Sequence, residues 1–257
     1  MRHSNSLIKL IKFLKRSDEN WSSYMPNDIN IKRCNLITFI NPLSVFLSSF
    51  KPDFLANLDK FDAVYADGIL LARAASYFTG IQVPRISFDG NSIAEDVFRY
   101  CAKEKLSLAL IGGKDDVAEN ASRLFSQHFE INISYFRHGY FSSANEMQNC
   151  VQAICKSDAA VVICGMGAPH QEHFLLELKK SGWIGTGFSC GGYLDQAIQS
   201  DIKYYPEWVN RLHLRALYRL CREPRRLGRR YFIEYQPFFL AFLELTLRNW
   251  KNRNARI

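Results

Sequence analysis

The sequence predicts an α/β fold: a doubly wound, mostly parallel, Rossmann-like sheet followed by a helical, basic and aromatic C-terminal appendage. Three observations predict it. Short apolar runs alternate with amphipathic stretches of helical length, which is the signature of βαβ units. Three of those runs end in glycine pairs: Gly112-Gly113, Gly165-x-Gly167 and Gly191-Gly192. Beyond about Ser200 the alternation stops, and Arg- and aromatic-rich helical stretches take over.

Taken in chain order, the first sixteen residues place Leu7, Leu10, Ile11 and Leu14 at helical spacing, with Lys9, Lys12, Lys15 and Arg16 between and after them. This reads as an N-terminal amphipathic helix and linker over 1–34. The expected strands are 35–40 (NLITFI), 61–65 (FDAVY), 106–111 (LSLALI), 131–136 (INISYF), 159–164 (AAVVIC) and 183–188 (WIGTGF). Helices are expected over 43–50, 69–79, 91–104, 115–128, 143–156 and 170–181, so 35–200 forms the α/β core. Two more are expected over 206–222 and 230–249, within an appendage spanning 201–257.

A chain of 257 residues, 47% hydrophobic and 23% charged, can bury a large core. Its net charge of +8 is concentrated: eight arginines stand from Arg211 to Arg230, and the only acid among them is Glu223. Such polarity suggests a polyanionic partner. Seven cysteines with no C-x-x-C pair argue against a disulfide framework and a structural zinc site, and for a reducing cytoplasm. His170 and His173 lack the spacing of a zinc protease and read as helix-surface residues. No signal peptide is evident. The longest charge-free apolar run, YQPFFLAFL at 235–243, is too short to span a bilayer. It is equally suited to lying on a membrane or to packing against the domain.

Ligands of parallel sheets bind at the carboxyl ends of the strands, so the loops there are the place to look for function. Glycines let backbone N–H groups approach a phosphate, and three such loops in one sheet favour a nucleotide or sugar-phosphate site. The loop at Gly165 carries His170 where a dinucleotide fingerprint needs a third glycine, and Gly112-Gly113-Lys114-Asp115 is not a phosphate-binding P-loop. No Asp-x-Asp pair is present to hold a divalent ion. Arginines, backbone amides and helix termini are therefore expected to offset a bound diphosphate, with no metal and no cofactor. Asp67, at a strand terminus before Gly68, reads either as the N-cap of the next helix or as a general base. Thr38, Asn41 and Pro42 read as polar groups at a strand end or as turn formers. Arg219, Arg226 and Arg229 share roughly one helical face if the phase survives Pro224.

Together these motifs resemble the WecG/TagA/CpsF glycosyltransferases. The resemblance rests on Thr38-x-x-Asn41-Pro42, Ala66-Asp67-Gly68, Ile111-Gly112-Gly113, His138-Gly139-Tyr140-Phe141, Gly165-Met166-Gly167-Ala168-Pro169-His170-Gln171-Glu172 and Cys190-Gly191-Gly192-Tyr193-Leu194-Asp195. It continues through Leu217-Tyr218-Arg219-Leu220, Glu223-Pro224-Arg225-Arg226 and Arg229-Arg230-Tyr231. It implies transfer of a sugar from a UDP-sugar to a polyprenyl-diphosphate-linked acceptor, inverting and without metal. It implies Asp67 as the base, and Thr38, Asn41, Arg85 and Gln171 in the sugar-nucleotide pocket. Pro169 then opens a helix whose first turn aims Gln171 at the ligand. Arg219, Arg226 and Arg229 would contact diphosphate from an appendage docked on the membrane. The protein would work in the cytoplasm, peripherally on the inner face of the membrane; a homo-oligomer is left open. Three positions depart from the family pattern: Phe88 where a glycine is usual, Tyr204-Tyr205-Pro206, and Arg215-Ala216.

The donor sugar is open among a hexose, an N-acetylhexosamine and a hexuronic acid. A nucleic-acid-binding protein would explain the arginines but not the glycine loops or Asp67. A nicotinamide-dependent oxidoreductase would suit the sheet but lacks the fingerprint. Binding to nucleic acid is not expected.

Overall fold

The computed structural model describes residues 2–14, 29, 31–51, 53–199, 209, 211–212, 215–222 and 224–254. Six strands form one parallel sheet: β1 (Cys34–Ile40), β2 (Ala63–Ala66), β3 (Ser107–Gly112), β4 (Ile133–Arg137), β5 (Ala159–Gly165) and β6 (Gly185–Ser189). Their spatial order is β2-β1-β6-β5-β3-β4. The helices of the core are α2 (Leu43–Phe50), α3 (Asp53–Leu58), α4 (Ile69–Thr79), α5 (Ala94–Lys103), α6 (Val117–Phe129), α7 (Ala144–Lys156), α8 (His170–Lys180) and α9 (Tyr193–Gln199). An N-terminal helix α1 (Arg2–Phe13) precedes them. After them come α10 (Arg215–Arg222), α11 (Pro224–Arg229), a π-helical turn (Arg230–Glu234) and α12 (Gln236–Asn254).

Strand residues alternate between two cores, as a sheet covered on both faces requires. Leu36, Ile40, Val64, Ala66, Ile111 and Cys164 belong to one, with residues of α2, α3, α4, α7 and α8. Ile37, Phe39, Tyr65, Leu110, Ile163 and Phe188 belong to the other, with α5, α6 and α9. In the second core, Phe88 packs 5.2 Å from Phe188 and 5.8 Å from Tyr193, ring centre to ring centre. Phe88, where the resemblance implies a glycine, is thus a core side chain, 3% exposed.

The chain winds both ways from the middle of the sheet. From β3 it passes through α6 to β4 on one side, and from β5 through α8 to β6 on the other. This makes the β3–β5 boundary the topological switch point. Gly112, Gly113 and Gly165 stand there. A Cβ on Gly112 would lie 2.5 Å from the Gly165 carbonyl oxygen, so the close approach of these strand ends demands glycine.

The expected strands and core helices are present, with ends shifted by a few residues. Among the described residues three helices were not anticipated, α3, α9 and α11, each of fewer than eight residues and too short for a clear period. The stretch expected as one helix over 230–249 begins as the π-helical turn and continues as α12 to Asn254. Of the helix expected over 206–222, Arg215–Arg222 is helical and much of the rest lies outside the described residues, as do Tyr204, Tyr205 and Pro206.

The first helix, α1, and the last, α12, meet. Leu7, Leu10 and Ile11 of α1 pack in the same core as Phe238, Ala241 and Leu245 of α12. Ser4 Oγ donates to Glu244 Oε2 at 2.8 Å across this contact. Each fully buried leucine there stabilises by about 1.5–3 kcal/mol. The opposite face of α12 exposes Phe239, Leu240, Leu243, Leu247 and Trp250, adjoined by exposed Phe232 and Ile233. Among the described residues no helix is long and apolar enough to cross a membrane.

Candidate active site

A cavity of about 470 Å³ opens at the carboxyl ends of β1, β2 and β6. Parallel strands bring these ends together because every connection returns to the same edge. Three helices begin there: Asn41, Pro42 and Ser44 line it from the start of α2, Gly68, Ile69 and Leu70 from α4, and Gly167, Ala168 and Gln171 from α8. The dipoles of these helices favour negative charge in the cavity.

Asp67 lines the cavity at the end of β2, its side chain 38% exposed. Its N–H donates to the Ile40 carbonyl at 2.7 Å, which anchors the backbone. Gly68 rather than Asp67 occupies the N-cap of α4, with φ +97°. The capping reading of Asp67 is thereby overturned. Arg85 reaches across from the segment after α4, Nη2 standing 3.6 Å from Asp67 Oδ1. The same nitrogen donates to Asp89 Oδ2 at 2.8 Å and to Ser87 Oγ at 2.5 Å. A backbone bridge from Ile86 N to the Ala66 carbonyl, 3.0 Å, holds this segment along β2.

On the far wall, Gln171 is 4% exposed at the start of α8. Its Oε1 accepts from the Gly191 N–H at 3.1 Å, and its Nε2 donates to Glu172 Oε1 at 3.0 Å. Thr38 lies fully buried beneath the cavity and donates to Glu172 Oε1 at 2.9 Å. Burial pushes the Glu172 carboxyl above its ordinary value.

Of the residues singled out in the sequence, the cavity wall contains Asn41, Asp67, Arg85, Gly167, Gln171, Gly191 and Gly192. Gly112, Gly113 and Gly165 lie outside that wall, at the neighbouring switch point, and Asp195 is half-buried in the first turn of α9. Arg229 is exposed and pairs with Glu234 at 3.7 Å. The side chains of Arg219 and Arg226 lie outside the described residues. His170 and His173 are exposed on α8, and no metal-binding cluster occurs among the described residues.

To several cavity residues the sequence reading assigns no role in the site. Arg230, Tyr231 and Tyr235 close the site from the C-terminal segment, and Arg230 Nε is buried with no hydrogen-bond partner. Asp89 and Ser189 also line it. Arg230 directly follows Arg229, so the basic cluster was the signal; a three-dimensional contact decided which arginine turns inward.

Comparison with known proteins agrees with this arrangement. The profile of the glycosyl transferase WecG/TagA/CpsF family matches residues 15–253. The chain is 33% identical over 219 residues to the UDP-Gal:alpha-D-GlcNAc-diphosphoundecaprenol beta-1,4-galactosyltransferase of Shigella boydii. That alignment covers 85% of this chain and 90% of the relative.

Proposed function

The chain belongs to the WecG/TagA/CpsF family of glycosyl transferases, and from that premise we propose that it transfers a hexose from a UDP-sugar to a sugar-diphosphate-polyprenyl acceptor. Galactose as the sugar and a GlcNAc-diphosphate lipid as the acceptor are the first pair to test, because the Shigella relative is named for them. The observation that carries the proposal is the carboxylate of Asp67 facing an anion-favouring cavity with Arg85 beside it.

The reaction is a single displacement. The acceptor hydroxyl gives its proton to Asp67 as its oxygen bonds to the anomeric carbon. The bond from that carbon to the β-phosphate oxygen breaks on the opposite face, so configuration inverts. UDP leaves with one additional negative charge. Preorganised donors are the largest aid to such a step: the helix N-termini of α2, α4 and α8, together with Arg85 and Arg230, supply them. Arg219, Arg226 and Arg229 add positive charge from the C-terminal segment. The nucleotide extends from the cavity toward the switch point, which gives Gly112, Gly113, Gly165, Gly191 and Asp195 their place along its path. Charge balance by arginine makes a divalent ion unnecessary.

The exposed apolar face of α12, with Phe232 and Ile233, rests on the membrane that carries the lipid acceptor. Arg229 and Arg248, both exposed, suit an anionic lipid surface. This positions the C-terminal wall of the cavity at the bilayer, on its cytoplasmic side.

The deciding experiment offers a panel of UDP-sugars with GlcNAc-diphosphoundecaprenol, with and without EDTA. Transfer from a UDP-sugar that survives chelation supports the reading. No transfer from any member, or transfer lost on chelation, overturns it.

A further inference from the structure

Glu172 is 1% exposed beneath the cavity and is the end point of a directional hydrogen-bond relay. Phe39 N–H donates to Ser189 Oγ at 3.2 Å, and Ser189 Oγ lies 2.8 Å from Thr38 Oγ1. Thr38 Oγ1 spends its one proton on Glu172 Oε1, so the Ser189 hydroxyl must donate to Thr38. From the other side, Gln171 Nε2 donates to the same Glu172 oxygen. The second oxygen, Oε2, is buried with no partner.

This relay removes the ambiguity of an amide. Gly191 N–H can be met only by an oxygen, and Glu172 Oε1 accepts the Gln171 nitrogen. Reversing the amide would set Nε2 against the Gly191 donor and oxygen against oxygen. We propose that Glu172 is a positioning residue for sugar transfer: it locks the Gln171 amide, and through it the Gly191 turn, in the one orientation that shapes the donor side of the cavity. The inference rests on the reading of that cavity as the transfer site.

The charge state fits this role. Among the described residues no cation lies close enough to offset a carboxylate here, and burial favours the neutral acid. Both donors reach Oε1, which leaves Oε2 as the oxygen that holds the proton when the acid is neutral. Cys164 of β5 is within electrostatic reach, and its thiol is itself pushed up by burial. A neutral acid supports Gln171 without placing a negative charge under a diphosphate.

The test is a double-mutant cycle in kcat/KM for the UDP-sugar that the wild-type protein turns over, each variant assayed below its melting transition. Gln171→Ala and Glu172→Met are each expected to lose about tenfold or more, and the double variant no more than threefold beyond the worse single one. Glu172→Gln, which keeps an acceptor oxygen and no charge, should stay within threefold of wild type. Losses that multiply in the double variant would overturn the inference. So would Glu172→Met within threefold of wild type, or Glu172→Gln as damaging as Glu172→Met. Should Glu172→Met not fold, Glu172→Leu takes its place in the cycle. If Gln171→Ala keeps full kcat/KM, the cavity itself has been misread, a different failure from multiplying losses.

Discussion

Arg85 Nη2 stands 3.6 Å from Asp67 Oδ1 while the same nitrogen donates to Asp89 Oδ2 at 2.8 Å. One guanidinium thus joins the terminus of β2 to the loop that follows α4. Asp67 is held beside a cation yet is free of any capping duty, since Gly68 takes the N-cap. That freedom is what a base at a strand end requires.

Asp67→Asn keeps the shape and removes the basicity. Transfer is expected to fall by about 10²–10⁴-fold, while UDP affinity by calorimetry stays within about threefold of wild type by the same reasoning. Transfer within tenfold of wild type would show that another group takes the proton.

Arg85→Lys retains the charge but loses the planar fork that reaches Ser87 and Asp89 together. A loss of about tenfold or more in kcat/KM is expected, since such sites do not exchange Arg for Lys conservatively. Steady-state kinetics of the lysine variant against wild type provide the check.

Stability should carry the signature of Glu172. Its folded-state carboxyl is raised above the ordinary 4.5 by burial. Below that value both folded and unfolded chains hold the proton. As pH rises above it, the unfolded chain releases the proton first, and stability declines until the folded value is passed. Glu172→Gln removes this slope. The melting-temperature difference, variant minus wild type, should therefore grow as pH is raised from 4 to 8. A flat difference would mean an ionised Glu172 in the fold.

Gly165→Ala should destabilise the fold through close backbone contact at the strand end. Its Cβ would lie 2.8 Å from the Gly191 carbonyl oxygen and 3.0 Å from Cys190 Sγ. Backbone cannot yield cheaply, so a cost of about 1–3 kcal/mol in denaturant unfolding is expected.

Phe239 and Leu243 are each at least half exposed on the outer face of α12. Replacing both with serine should leave the melting temperature nearly unchanged and weaken sedimentation with anionic vesicles. Undiminished vesicle binding would place the membrane contact elsewhere.

Much of the fold was legible because its determinants are local. An alternating or helical pattern of apolar residues marks an element within its own ten residues, which is why α2 and α4 begin and end where the sequence places them. Glycine loops at strand ends were equally visible, and Asp67, Arg85 and Gln171 meet around one cavity. The periodicity of α1 revealed an apolar face but not its partner. That Ser4 bonds Glu244 and Leu10 packs in the core with Leu245 is a contact across the whole chain, which leaves no local mark. The same holds for Arg230 turning inward while Arg229 pairs with Glu234. The sequence alone determined which segments are strands and helices and which loops could hold an anion, because burial period and backbone freedom are written residue by residue. Only the tertiary structure decided that Arg230 lines the cavity and that Glu172 is buried without a countercharge among the described residues, because both depend on what distant segments bring alongside.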